Sequence, residues 1–184
     1  MYVAQDFDSR GRIENDTLKI DRTKSKILWK GTKMMGLGKH EGEIPIHEGF
    51  LMFRNNELSG GEITVDMRKI TVTDIPKTDP IPIRNLTNHL KGPDFFDVEQ
   101  HPFSHLEIRS IQKSNVDKLL VTGDLMIKGI SNPVSFEVVT VGHNQFQASL
   151  QFDRFVWDIA YSGNWLDRTL VDREIDLKVE IVSK

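Results

Sequence analysis

A chain of 184 residues with 24 Lys and Arg against 27 Asp and Glu, a formal net charge of −3, is long enough for one full-sized core and cramped for two. At 38% apolar residues it does not read as disordered, and with no Cys it has no disulfides, iron–sulfur clusters, thiolate zinc sites or Cys nucleophiles. Mixed charge gives no field for nucleic acid, and the longest apolar runs, such as Phe50 to Phe53, fall far short of the roughly 18 residues of a membrane-spanning helix.

Met1 to Asp16 has no periodicity and reads as a flexible N-terminal arm, with one domain from Thr17 to the C-terminus. The arm lacks a basic stretch followed by an apolar one, so no secretion signal is read in it. Beyond it the dominant signal is alternation with period 2 between short turn clusters, the pattern of half-buried antiparallel strands. Leu18 to Ile20 is a first short candidate. Ile27 and Trp29 then alternate with Lys26 and Lys30. His40 to Ile46 and Gly49 to Arg54 follow, and Ile63, Val65 and Met67 alternate with Glu62, Thr64 and Asp66.

One segment looks helical: Ile83 to Lys91, with Leu86 and Leu90 at i, i+4 and Gly92-Pro93 as its stop. Strand candidates resume at Ser104 to Ile111. In the next, Leu119, Val121, Leu125 and Ile127 interleave with Leu120, Thr122, Asp124 and Lys128. Pro133 to Val141 is another, and Phe146, Ala148, Leu150 and Phe152 alternate with glutamines and Ser149. Phe155 to Trp157 is a second, very short helical candidate. Ile175, Leu177, Val179 and Ile181 face away from Glu174, Asp176, Lys178 and Glu180 in the last strand. About ten short strands with one helix predict a single antiparallel sheet closed into a barrel, or a two-sheet sandwich; the barrel is favoured because closure removes both edges.

Catalytic signatures are scarce. His89, His101 and His105 are close in sequence, but Pro102 separates the last two and no HExxH run exists, so turn or solvated histidines are the expectation rather than a metal site. Carboxylate pairs such as Asp94 with Asp97, or Asp167 with Asp172, fall on polar strand phases or beside turns. GxSxG, GxGxxG and P-loop patterns are absent. What remains is a large apolar inward face, including Phe50, Phe53, Phe146 and Trp165, which either fills the barrel or lines a ligand cavity; the sequence leaves both open.

Asn88-His89-Leu90-Lys91-Gly92-Pro93-Asp94-Phe95-Phe96-Asp97-Val98-Glu99-Gln100-His101-Pro102 closely resembles the HLKSxDFFDVExYP signature of YceI-like proteins. Val121-Thr122-Gly123-Asp124-Leu125-Met126-Ile127-Lys128-Gly129-Ile130-Ser131-Asn132-Pro133-Val134 resembles their VTGDLTIKGxTxPV strand pair. Trp29-Lys30-Gly31, His40-Glu41-Gly42, Glu48-Gly49, Gly60-Gly61-Glu62 and the stretch from Asp153-Arg154 to Tyr161-Ser162-Gly163 agree. Phe103 stands where a small polar residue is usual, and Phe155 to Asp158 is bulkier and more acidic than the family pattern.

The resemblance implies an all-β fold, an extended eight-stranded antiparallel lipocalin-like β-barrel with one short inserted helix. It also implies an apolar channel for a polyisoprenoid, an isoprenoid quinone or a fatty-acyl amide, export to the periplasm in many members, and no catalytic residues. On that footing the chain is expected to sequester or transport a lipid, with no enzyme activity, metal or cofactor beyond that lipid, and a homodimer as a further partner. A cytoplasmic location stays open. Alternatives are a solidly packed barrel that acts as a stress-related protein-interaction module, and an enzyme acting on an isoprenoid or quinone.

Alternation aims every second side chain into the lumen. The expected lumen residues are Ile27, Trp29, Met34, Leu51, Phe53, Ile63, Val65, Leu90, Phe95, Phe96, Leu106, Ile108, Val121, Leu125, Phe136, Val138, Phe152 and Trp157. Met34, Met35, Met52 and Met126 would adapt to irregular chains where they face inward. Met34 to Lys39 and the Pro-rich Pro76 to Arg84 are the expected portal loops, with His40 and Ser104 as head-group candidates. At least one of Phe95 and Phe96 is expected to close the barrel end.

Overall fold

A computed structural model describes residues 15–33, 35–160 and 171–184. The N-terminal arm up to residue 14, Met34 and Trp165 lie outside the described residues. Eleven strands form one sheet: β1 (Asn15–Lys19), β2 (Lys26–Lys33), β3 (Gly38–Glu43), β4 (Ile46–Arg54), β5 (Glu57–Asp66), β6 (Thr71–Val72), β7 (Phe103–Lys113), β8 (Lys118–Ile127), β9 (Ile130–Gly142), β10 (Gln145–Asp153) and β11 (Val171–Val182). Their order is β1-β4-β5-β7-β8-β9-β10-β11-β2-β3-β6, and every pair is antiparallel. β1 starts at Asn15, inside the expected arm.

The count of eleven corrects the expected eight, and the cause is local. Between β1 and β2 the Asp21 carboxylate accepts from Thr23 N at 3.0 Å and Thr23 Oγ1 at 2.7 Å, an Asx turn that takes the chain out of the ladder. Between β3 and β4, Pro45 has no N–H to give a neighbour. Between β5 and β6, Asp66 caps a 3-10 turn, Met67–Lys69, by accepting from Arg68 N. The interrupted runs stay side by side, since β1 and β2 pair with β4 and β3, which in turn pair with β5 and β6. The sheet curls until Ile20, just past β1, bridges to Ser183, just past β11.

The helix α1 (Pro80–Lys91) begins earlier than the hydrophobic pattern predicts. Pro80 and Pro82 occupy its first turn, where backbone N–H groups have no intrahelical acceptor, so more than half of the expected Pro-rich loop is helix. Gly92 ends it, its N–H donating to His89 O at 3.1 Å. Phe155 to Trp157 lies in a second 3-10 turn, Arg154–Trp157.

Two buried apolar clusters occupy the inside of the curl. One gathers Trp29, Met67, Leu90, Phe95, Phe96, Leu125, Phe152 and Trp157 on the helix side. The other gathers Ile27, Leu51, Phe53, Ile63, Val121, Val138, Phe146 and Ile181. Val65 and Phe136 pack against both.

Candidate functional site

Between the two clusters lies a cavity of about 390 Å³, walled by the inward phases of β2, β4, β5, β7, β8, β9, β10 and β11 and by α1. Ile27 and Trp29 from β2, Leu51 from β4, Ile63 and Val65 from β5, and Leu106 and Ile108 from β7 line it. Val121, Leu125, Phe136, Val138 and Phe152 complete the strand wall, and Leu90, Phe95 and Phe96 close the helix side. Each strand residue is one phase of a two-residue alternation whose other phase faces away from the cavity.

Two expected lumen residues are displaced. Phe53 is buried but not on the cavity wall; its ring packs against Phe146, centroids 6.1 Å apart. Trp157 also lies behind the wall, its Nε1 donating to Leu125 O at 2.9 Å and its ring edge-on to Phe152. A 3-10 turn gives Trp157 no alternating phase, so strand logic could not place it. Among the methionines, Met35, Met52 and Met126 are exposed, whereas Met67 is buried and lines the cavity. Ile175, Leu177, Val179 and Ile181 of β11 and Phe146, Ala148 and Leu150 of β10 also line it. Their alternation was visible in the sequence, and the same signal that chose the other strands would have found them.

Lys33, an exposed wall residue at the end of β2, marks one opening of the cavity, with Gly31, Thr32, His40, Val171, Leu86 and His89 as partly exposed wall residues; Gln147 on β10 is an exposed wall residue as well. Of the expected portal segment Met34 to Lys39, in the β2–β3 hairpin, no described residue lines the cavity, although the flanking Lys33 and His40 do. No residue of Pro76 to Arg84 lines the cavity. The hairpin is pinned from the neighbouring strand β11 by the Asp172 carboxylate, which accepts from Thr32 Oγ1 at 2.5 Å, Met35 N at 3.0 Å and Gly36 N at 3.1 Å. The Thr32 hydroxyl and those two amides hold the Asp172 carboxyl below the ordinary carboxylate range.

The polar residues on the wall divide by environment. His40 is half-exposed and its Nδ1 is 3.0 Å from Asp74 Oδ2. His89 stands edge-on to Phe95 at 5.4 Å, and burial pushes its imidazole below the ordinary value of 6.5, with the Asp94 carboxylate acting in the opposite direction. Ser104 is 6% exposed, and its Oγ has no hydrogen-bond partner among the described residues. His105, next along β7, is hydrogen-bonded through Nδ1 to Thr64 Oγ1 at 2.9 Å. Among the described residues no three His, Asp or Glu side chains converge in a way that could hold a metal ion.

Trp29 is held in the wall by its Nε1, which donates to Thr71 O at 3.0 Å. That contact requires Gly42: a Cβ there would lie 1.8 Å from Thr71 O and 2.7 Å from Trp29 Nε1.

A curled antiparallel sheet around an apolar cavity, with one helix against the opening, defines a barrel-like protein with an internal hydrophobic chamber. The chain belongs to the YceI-like family, since the model of the YceI-like domain matches residues 18–183. Among curated proteins no match reaches significance. Among solved structures, BcnA of Burkholderia cenocepacia is similar with a TM-score of 0.70 and 21% identity, over 88% of this chain and 98% of that chain. A YceI protein of Campylobacter jejuni gives 0.56 and 19% identity, over 70% of this chain and 74% of that one. A polyisoprenoid binding domain from Saccharophagus degradans, described as implicated in plant cell wall breakdown, gives 0.62 and 10% identity, over 92% and 97%. At these identities the likeness is one of fold.

Proposed function

We propose that the protein binds a long apolar lipid in this cavity, a polyisoprenoid, an isoprenoid quinone or an acyl lipid, and acts as a carrier or store rather than as an enzyme. The observation that carries the reading is the cavity itself: about 390 Å³ of space enclosed by Ile, Leu, Val and Phe side chains. That volume is within the roughly 300–1,000 Å³ typical of small-molecule sites. Strand backbones spend their hydrogen bonds on one another, so the wall asks almost nothing polar of its occupant.

A flexible hydrocarbon chain meets that demand. Each buried methylene is worth about 0.8 kcal/mol, so ten would contribute about 8 kcal/mol before the loss of chain mobility is subtracted. The polyisoprenoid-binding neighbour from Saccharophagus degradans supports the same class of ligand. A solidly packed barrel, the competing reading, has no use for an apolar space of this size.

The test is denaturing organic extraction of the purified protein followed by mass spectrometry, against a mock purification. A prenyl or acyl species in stoichiometric amount is the expected result. A clean extract, both as purified and after soaking with polyprenol and quinone, overturns the reading.

A further inference from the structure

We propose that Ser104 is a polar anchor inside the cavity, and that its hydroxyl donates a hydrogen bond to an aprotic carbonyl oxygen, of the ketone, quinone or ester type, carried by the bound chain. This rests on the lipid-binding reading and narrows it.

Ser104 is the second residue of β7, in phase with Leu106 and Ile108, and all three line the cavity. It pairs with Val65 on β5, one of the residues that pack against both apolar clusters. Its burial and its lack of a hydrogen-bond partner among the described residues set it apart from His40, whose Nδ1 is engaged by Asp74 at 3.0 Å. A buried hydroxyl without a partner is costly, and the wall residues paired and in phase with it, Val65 and Leu106, are apolar. The missing partner is then supplied by the ligand.

The chemistry of that partner follows from counting hydrogens. An anionic head group is excluded, because Lys33, the charged side chain on the wall, sits at the opening and a lone hydroxyl cannot offset the desolvation of a phosphate. A ligand alcohol would bring its own hydrogen; between two hydroxyls only one hydrogen is shared, and the other is stranded against Val65 and Leu106. A primary or secondary amide strands its N–H in the same way. A ketone, quinone or ester carbonyl accepts and brings no hydrogen.

The experiment compares farnesylacetone, its alcohol, and the hydrocarbon of equal length by equilibrium binding to the wild-type protein and to Ser104→Ala. The wild type is expected to prefer the ketone. Ser104→Ala should weaken ketone binding by about three- to tenfold and leave the hydrocarbon unchanged. Its thermal midpoint without ligand should be equal or higher, because the change removes an unpartnered group. The stretch of a ¹³C-labelled carbonyl should move to lower frequency in the wild-type complex and return in Ser104→Ala. If the stretch in the wild-type complex is unshifted, or both ligands lose affinity equally in Ser104→Ala, the anchor is wrong while lipid binding stands. If neither ketone nor hydrocarbon binds the wild type, the lipid reading fails and the anchor with it.

Discussion

The ring of Phe95 stands edge-on to that of Phe96, with centroids 5.1 Å apart and an interplanar angle of 83°. Both are buried, both line the cavity, and Phe96 N donates to Leu90 O at 3.1 Å, so the turn after α1 folds back and lays two aromatic rings over the helix side of the chamber. Truncating a buried Phe to Ala removes roughly 3–5 kcal/mol. Phe95→Ala and Phe96→Ala should each lower the thermal midpoint and speed release of a bound lipid, measured by stopped-flow dilution. If both variants keep the wild-type midpoint and off-rate, the two rings do not close the chamber.

His89, whose ring is edge-on to Phe95, makes this cap sensitive to acid. Burial lowers its folded value below 6.5, so between the two values the unfolded chain binds more protons than the native one. Stability from this group is therefore present above about 6.5 and lost as pH falls through the window below it. Thermal midpoints followed from neutral pH downward should fall in the wild type and fall less in His89→Gln. Parallel curves for the two proteins would show that His89 does not carry the dependence.

Much of this architecture was legible because a strand with one wet and one dry face writes its own phase into the chain. Ile27 and Trp29, Leu106 and Ile108, and Val121 and Leu125 all line the cavity, and Gly92-Pro93 closes the helix as its residue types require. The missed features depend on contacts across the sheet or on local backbone geometry. Pro45 lies inside a segment that alternates well enough to read as one strand, yet its missing N–H divides β3 from β4. Phe53 has the right phase but packs on Phe146, and alternation distinguishes inside from outside without separating wall from filling. The absence of a partner for Ser104 Oγ among the described residues is a property of its neighbours and has no sequence signal at all.

Gly42 allows β6 to approach β3 and Trp29 to reach Thr71 O. A Cβ at 1.8 Å from a backbone oxygen cannot be accommodated by side-chain motion, so Gly42→Ala must push β6 away and break the indole hydrogen bond. The expected outcome is a loss of stability above 1 kcal/mol, since overpacking typically costs about 1–3 kcal/mol, with a red shift of the Trp emission as the ring gains water. Unchanged emission and stability would mean that the strands meet differently.

Asp66 is 2% exposed and caps the 3-10 turn after β5 while pairing with Arg68 at 2.8 Å and Lys69 at 3.3 Å. Hydrogen bonding from Arg68 outweighs desolvation, and the carboxyl falls from 3.8 to about 2. A lowered carboxyl contributes stability that is complete above the unfolded value of 3.8 and is lost as pH falls towards about 2. Asp66→Asn keeps a capping oxygen but not the charge, so its stability at neutral pH should be lower and its decline over that acid interval shallower. Acid titrations of chemical denaturation for both proteins measure this directly, and identical acid limbs would assign the decline to other carboxylates.

Ile108 offers the means to separate the chamber from the fold around it. It lines the cavity and is only half-buried, so a larger side chain can grow into the chamber instead of displacing packed neighbours. Ile108→Trp should fill part of the 390 Å³ and lower lipid affinity by tenfold or more, about 1.4 kcal/mol or above, while changing stability by less than the roughly 1–3 kcal/mol of an overpacked core. Binding measured with a short and a long prenyl hydrocarbon adds a second reading: a blocked chamber penalises the long chain more, because its far methylenes lose their apolar surroundings. Equal affinity of Ile108→Trp and wild type for both chains, in variants that melt together, would place the lipid outside this cavity.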